Sequence, residues 1–498
     1  MTTIPLLLLL FCYSSALLSL PTIAIANPVP SLAQLLAEAD AAAAQLNATA
    51  IAAGPLPPSF DPWYRAPLTY DWRQTDPGSV LKVRQAPLLN RTVGHAQVAY
   101  QLIYRTTDSR YNPSWAVTTL LVPRSFSLSP ASTSKNATAA ALSISVLSYQ
   151  LPYDTCNVDA SPSFALHYGE PYGEIAAALW RGWLVAVPDY EGPLASYAAG
   201  VQAGHATLDG VRAALALAGL LVVGGQLKSG LGVDMESETG SAVESGAASL
   251  GAAVGVSVDV DGVTAARVAL WGYSGGALAS EWAAELAEEY APKLAIAGVA
   301  LGGLTPNVTS VTAYLNKQEG AGLIPQGLLG IATQHPDAYA WIISRLKPAL
   351  RDIFLSAKRM TGLQSILAFQ YQDIYGYFIG GYDDLHTPVM QNMYNVDGYM
   401  GYHGVPRMPV FVYNAVHDEL SNIMDVDALV DRFCGVGANI LYHRNMVGTH
   451  NQEIVNGRQR AFAWLRSVLD GTYGQLYPPM GCTIQNVTYN LAPWVGWG

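Results

Sequence analysis

The chain has 498 residues, of which 51% are hydrophobic and only 13% charged. That excludes long coiled coils and charged disorder, and it leaves ample apolar material for one large elaborated domain or a few small ones. A formal net charge of −11 argues against a basic face that would hold nucleic acid.

Residues 1–26 have the form of a secretory signal. The run 6–11 is strongly apolar, and Ala24-Ile25-Ala26 offers a small-residue cleavage pattern before Asn27. No Lys or Arg precedes the run, so only the terminal amine supplies positive charge. Pro21 and interspersed Ser and Tyr argue against a membrane anchor. The next apolar run, 213–223, is too short to span, so no transmembrane segment is expected in the mature chain.

Residues 27–53 predict an Ala-rich helix, stopped by Gly54-Pro55-Leu56-Pro57-Pro58. Two β-rich runs on either side of Asn112-Pro113 predict an antiparallel hairpin, and 139–148 a further strand. Then the rhythm changes. A helix end at 175–180, a buried strand at 183–187 and a helix at 200–221 are followed by a strand at 268–271 and a helix at 275–290. Strands at 294–301 and 409–413 complete the pattern. Strands alternating with helices, in apolar runs without alternation, predict a mostly parallel sheet covered on both faces, the α/β class.

Two stretches break the rhythm. Residues 224–262, rich in Gly, Ser, Val and Ala, predict a flexible surface insertion. Residues 305–405 predict a helical cap or lid inserted between two core strands; extra core helices are the competing reading. The expected organisation is a signal (1–26), a core in two parts (27–304 and 406–498) and the cap (305–405).

The sharpest motif is Gly272-Tyr273-Ser274-Gly275-Gly276, a G-x-S-x-G nucleophile elbow. An apolar strand leads into it and a helical pattern leads out, which is the context this motif requires. It predicts an α/β-hydrolase fold with Ser274 as nucleophile. An acid and a base should follow in that order. Asp418 lies just after the strand at 409–413, with Glu419 and Asp425 as competitors. His450 follows Gly448-Thr449 in an expected loop, whereas His443 lies in a strand-like stretch. His450 would take the serine proton, and Asp418 would hold the imidazole. The Gly275 amide is one oxyanion donor, and Tyr153-Asp154, after the strand near Tyr149, is a candidate for the second. No metal or cofactor is expected: His-Glu-x-x-His, Cys-x-x-Cys and phosphate-loop patterns are missing from the sequence.

Cys12 would leave with the signal, so Cys156, Cys434 and Cys482 remain. The simplest arithmetic is one disulfide and one free thiol, and Cys434 and Cys482, close in sequence near the end of the chain, are expected to pair. Sequons at Asn47, Asn90, Asn136, Asn307 and Asn486 predict a glycosylated, secreted, extracellular protein.

At these residues the chain resembles the fungal secretory lipases of the Candida lipase A type. The resemblance runs from about residue 60 to the end. It is carried by 181–213 (RGWLVAVPDYEGPLASYAAGVQAGHATLDGVRA), by 268–303 around the elbow, and by PVFVYNAVHDEL with GANILYHRNMVGTH within 409–450. It implies an α/β-hydrolase core with a helical lid, acting on acylglycerols and other long-chain esters. It also implies the Ser274, Asp418, His450 triad, Asp154 in the oxyanion hole through its backbone amide, and the Cys434–Cys482 bridge. Three features depart from the family: the 224–262 segment, Asn422-Ile423 in place of a Val-Pro pair, and Cys156 without a partner.

The function expected is therefore a triacylglycerol lipase working at a lipid–water interface, as a monomer. The apolar stretch 322–331 (GLIPQGLLGI) is expected to serve the lid's lipid face. A carboxylesterase, acyltransferase or peptidase with the same triad is the alternative, and a catalytically inactive hydrolase-fold binding protein is the alternative from another class.

Overall fold

The computed structural model describes residues 28–44, 54–86, 88–125, 129–130, 142–169, 173–223 and 263–490. Residues 1–26, expected to form a signal, the expected insertion 224–262, Asn47 and Asn136 lie outside the described residues.

One sheet organises the chain. Its strands are Val80–Gln85 (β1), Ala96–Thr107 (β2), Pro113–Pro123 (β3), Ser129–Pro130 (β4), Leu142–Gln150 (β5), Leu184–Pro188 (β6), Val263–Tyr273 (β7), Ile296–Gly302 (β8), Val410–Ala415 (β9), Ile440–Asn445 (β10) and Cys482–Val487 (β11). Their order is β1-β2-β3-β6-β5-β7-β8-β9-β10-β11, with the short β4 paired to β5 off this path. β1, β2, β3 and β6 pair antiparallel, and every pair along the path from β6 to β11 is parallel. The parallel strands are buried runs, as β6 and β9 are throughout, because helices cover both faces.

The hairpin β2–β3 forms as the sequence predicts, with Thr107 opposite Pro113. Its turn is built one step earlier than Asn112-Pro113. Asp108 Oδ1 accepts from the amides of Arg110 (2.9 Å) and Asn112 (2.8 Å), and Pro113 opens the next strand. The N-terminal helix is Leu32–Ala44, and it docks on the β1 edge, where Gln85 Nε2 donates to Asp40 Oδ1 at 2.6 Å.

β5 has β6 on one side and β7 on the other, so the chain order reverses at β5. In an open parallel sheet, a crevice forms beyond the strand ends at such a switch point. Here it opens beyond Gln150 and Tyr273, the last residues of β5 and β7. Behind it, the helix Gly200–Val223 packs on the helix Gly275–Tyr290, with Gly200 and Gly204 against the buried Trp282.

Between β8 and β9 lies a set of short helices with its own apolar cluster, centred on Phe354, Phe369, Phe378 and Tyr394 and joined by Cys156, Ala198 and Ala199 from the sheet side. One expectation is corrected here. All nine residues of the helix Leu323–Ile331 are buried, so this stretch is core and does not face lipid. Its apolarity serves packing against Tyr197 and its neighbours. Exposed apolar residues of the segment lie elsewhere, among them Leu363 and Leu367 on the helix Gly362–Phe369.

Cys434, in the helix Ile423–Gly435, is bonded to Cys482 at the start of β11, across 48 residues; Cys156 is free and buried. Closing a loop of this length restricts the unfolded chain by about 4 kcal/mol. The double variant Cys434→Ser/Cys482→Ser is therefore expected to lose up to about 4 kcal/mol in guanidinium unfolding. Asn422 fills the position of the missing Val-Pro pair as a helix cap, its side chain accepting from the Met424 amide at 3.0 Å. Of the described sequons, Asn486 is exposed on β11, Asn90 lies in the short helix Leu89–Thr92, and Asn307 is the half-buried cap of the helix Val308–Leu315. No helix among the described residues is long and apolar enough to cross a membrane.

Candidate active site

β7 ends at Tyr273, and the next helix begins at Gly275. Ser274 is thus the single residue of the turn, with φ 54° and ψ −124°. A non-glycine residue holds that backbone only where its surroundings enforce it. They do so by close approach: a Cβ on Gly272 would collide with the Gly276 carbonyl, and one on Gly276 with the Gln150 carbonyl. Both positions therefore require glycine. The Ser274 amide donates to Gly302 O on β8 at 2.9 Å, which pins the turn to the sheet.

The loops after β9 and β10 bring the other two residues in. His450 Nε2 lies 3.0 Å from Ser274 Oγ, and His450 Nδ1 lies 2.7 Å from Asp418 Oδ2. Asp418 Oδ1 accepts from the amides of Leu420 and Ser421, each at 2.8 Å. All four carboxylate lone-pair directions cannot be filled by these three donors, but each oxygen has a partner, so the buried charge is held. Ser274, Asp418 and His450 are all buried, with Ser274 the most accessible at 9%. Burial opposes protonation of His450, but the charge and hydrogen bond of Asp418, with Glu419 and Asp154 adding, hold its pKa above the ordinary histidine value.

His450 opens the helix His450–Leu469 and does not sit in a free loop. Thr449 and Gln452 form a reciprocal capping box there, a signal present in the sequence as Thr-x-x-Gln. Two partners of His450 were not identified from sequence. Tyr273 donates from its hydroxyl to the His450 carbonyl at 2.6 Å, and Glu419 accepts from the His450 amide. Glu419, considered above as a rival to Asp418, holds the histidine's backbone and leaves the ring to Asp418. Asp425 accepts from Ser310 Oγ at 2.6 Å, away from the imidazole. His443 sits on β10, where Arg460 contacts its Nδ1 at 2.9 Å; burial, with the Arg460 charge, pushes its pKa down to about 4.

Asp154 meets this group from the other side of the crevice. Its backbone is left-handed, with φ 46°, and its carboxyl packs against Gly275, where a Cβ would collide with Oδ1. Oδ1 is buried and has no hydrogen-bond partner among the described residues. Burial raises the Asp154 pKa to about 7, against the pull of His450. Asp154 and the start of the helix Gly275–Tyr290, with the positive end of its dipole, thus flank Ser274 on one side. His450 flanks it on the other. Beside the helix's first turn lies a small apolar cavity of about 40 Å³, lined by Tyr197, Leu278, Val308, Leu323 and Leu328 among others.

Comparison with known proteins gives a consistent result. A family model described as "Secretory lipase" matches residues 172–231 and 235–474. The "Trichothecene C-3 esterase" of Fusarium sporotrichioides is 40% identical over 455 residues, covering 89% of this chain and 90% of that one. The "Lipase A" of Arthroderma benhamiae is 36% identical, covering 84% of this chain and 81% of its own. Among solved structures, Candida antarctica lipase A in its closed state superposes with a TM-score of 0.66 at 24% identity, over 84% of this chain and 88% of that one. That match gives the fold, an α/β-hydrolase. With the family model spanning more than half of the sequence, the chain belongs to the secretory lipase family of carboxylic ester hydrolases.

Proposed function

We propose that the protein is a secreted serine esterase that cleaves carboxylic esters of short acyl groups, through Ser274, His450 and Asp418. The observation that carries this reading is the continuous array from Ser274 Oγ to His450 to Asp418, at 3.0 and 2.7 Å, beside a buried carboxyl at Asp154. In the first half-reaction Ser274 Oγ attacks the ester carbonyl carbon while its proton passes to His450 Nε2. The carbonyl oxygen becomes an oxyanion, received by the Gly275 amide and by Asp154. As the intermediate collapses, His450 gives the proton to the leaving alkoxide, and an acyl-Ser274 remains. Water then repeats the sequence, with His450 as base, and releases the carboxylic acid.

The cavity bears on substrate size. Leu278, in its lining, lies one helical turn from Ser274, and a volume of about 40 Å³, room for about three waters, favours an acetyl or similarly short acyl chain. The relative named "Trichothecene C-3 esterase" supports an ester other than an acylglycerol as the substrate. A second reading, acylglycerol hydrolysis at a lipid surface, is favoured by one observation. Leu363 and Leu367 are 67% and 60% exposed on the helix whose first residue, Gly362, abuts the Asp154 carbonyl. Residues 305–405 would then cap the core formed by 27–304 and 406–498. Hydrolysis of p-nitrophenyl esters from acetyl to palmitoyl, and of a triolein emulsion, separates the two. Activity that falls steeply beyond butyryl supports the esterase; strong activity on the emulsion replaces it with the lipase.

The pH dependence follows from two groups. His450 must be neutral to act as base, so activity falls as pH drops below its raised pKa. Asp154 must be neutral to receive an oxyanion, so activity falls as pH rises through about 7. Asp154→Asn keeps a neutral side chain at every pH and removes one charge that raises His450. Its kcat/KM profile is expected to broaden in both directions, with the alkaline limb displaced the most. An unchanged alkaline limb would remove the Asp154 carboxyl from the oxyanion site.

A further inference from the structure

We infer that Gln326, a residue of the helical segment between β8 and β9, is a positioning residue for the loop that carries Asp154. The segment is then a working part of the reaction centre as well as a cover over it. This inference rests on the serine-esterase reading above.

The loop leaves β5 at residue 151 and is fastened on two sides of Asp154. Before it, the Tyr190 hydroxyl donates to Leu151 O at 2.7 Å, and the Glu191 amide donates to the Tyr153 hydroxyl at 2.7 Å. The two tyrosine rings lie 4.8 Å apart, so the loop after β6 grips the loop after β5 at two points. After it, Thr155 Oγ1 donates to Met360 O at 2.8 Å, and the Cys156 amide donates to Gln326 Oε1 at 2.7 Å. The Gln326 amide group in turn donates to Ala357 O at 3.0 Å.

Gln326 is the one polar residue of the helix Leu323–Ile331, and it is fully buried. A buried amide among leucines is costly unless both of its ends are bonded. Here both are, and the two ends join different partners: the oxygen holds the Asp154 loop, and the nitrogen holds the backbone around 357. That is the arrangement of a strut. Asp154 sits between the two fastenings with φ 46°. A left-handed aspartate keeps its conformation only while its neighbours on both sides are fixed. With the Cys156 amide left without its acceptor, the loop is free to relax, and Asp154 moves away from Gly275. A displacement of about 1 Å at such a site costs on the order of a hundredfold in rate.

The test compares wild type with Gln326→Met, which keeps the length and volume of the side chain but neither of its hydrogen bonds, and with Gln326→Glu, which keeps an acceptor oxygen for Cys156. Three quantities are read for each: kcat and KM on p-nitrophenyl acetate, the melting temperature, and the affinity for a short-chain alkyl trifluoromethyl ketone. The ketone accepts Ser274 Oγ at its carbonyl carbon while the proton goes to His450, so it presents the same oxyanion as the reaction. Gln326→Met is expected to lower kcat about tenfold to a hundredfold, with KM within about twofold and ketone affinity falling in step with kcat. Gln326→Glu is expected to recover most of that loss. A Met variant that melts earlier but keeps wild-type kcat and ketone affinity would overturn the inference, because a purely structural residue behaves that way. If the Met variant does not fold, the Glu variant decides. A kcat relative to wild type that falls with rising pH, as the introduced carboxyl ionises, supports the strut, and a flat ratio overturns it. Ser274→Ala is run beside them. Turnover surviving there would remove the serine reading itself, whereas its loss there with an intact Gln326→Met removes only the strut.

Discussion

Ser274→Ala is expected to lower kcat by about a millionfold while leaving the fold unchanged. The size of the effect follows from the geometry. Among the described residues, Ser274 Oγ is the nucleophile bonded to His450 Nε2, and alanine leaves the strained turn free of any group that can form the acyl bond. Folding should survive because the turn is held by other contacts: the Ser274 amide on Gly302 O and the packing of Gly272 and Gly276, none of which uses the hydroxyl. His450→Ala should cost about as much, and the double variant hardly more, because the two act as one unit. Retained circular dichroism and melting temperature, with kcat measured on a short p-nitrophenyl ester, check both halves of the expectation. A double variant much slower than either single one would show that the two do not share a step.

The second large effect is expected from Asp418→Asn, about ten-thousandfold in kcat. Asp418 Oδ1 is committed to the amides of Leu420 and Ser421. An asparagine must keep its oxygen there, so its NH2 turns toward His450 Nδ1. Nδ1 then has to accept, the ring proton moves to Nε2, and Nε2 can no longer take the proton of Ser274. The loss is one of tautomer, so it should appear in kcat with little change in KM. Glu419 provides the contrast. It accepts from the backbone amide of His450, and Glu419→Gln, which retains an acceptor oxygen for that amide, is expected to cost far less. Equal losses at 418 and 419 would contradict the assignment of the acid.

Much of the fold was legible in the sequence because its signals are local. The pentapeptide 272–276 has only one way to sit between an apolar strand and a helix, and β6 and β9 announce themselves as short buried runs. Asp418 was singled out for the same reason, since it follows a strand, whereas His450 was expected in a loop and opens the capped helix His450–Leu469. The partners that refine the site were not legible, because they join residues far apart in the chain. The Tyr273 hydroxyl reaches His450 O across 177 positions, and Gln326 reaches the Cys156 amide across 170. No periodicity encodes such pairs. The stretch 322–331 misled for a related reason. A mostly apolar helix looks the same whether it faces lipid or core, and here the glycines let it close onto Tyr197: a Cβ on Gly330 would stand 2.6 Å from the Tyr197 backbone. The lone Gln326 in that helix was the one hint, since a buried polar residue in an apolar run needs partners on both sides.

The most direct test of the account is covalent. A fluorophosphonate reacts with a serine only when a base has activated it and an oxyanion site receives the phosphoryl oxygen. Treatment of the full-length protein with such a probe, followed by peptide mass spectrometry, is predicted to place a single adduct on Ser274, with none in His450→Ala. A folded wild type that takes no label, or that takes it at another serine, would contradict the assignment of this crevice as the esterase centre.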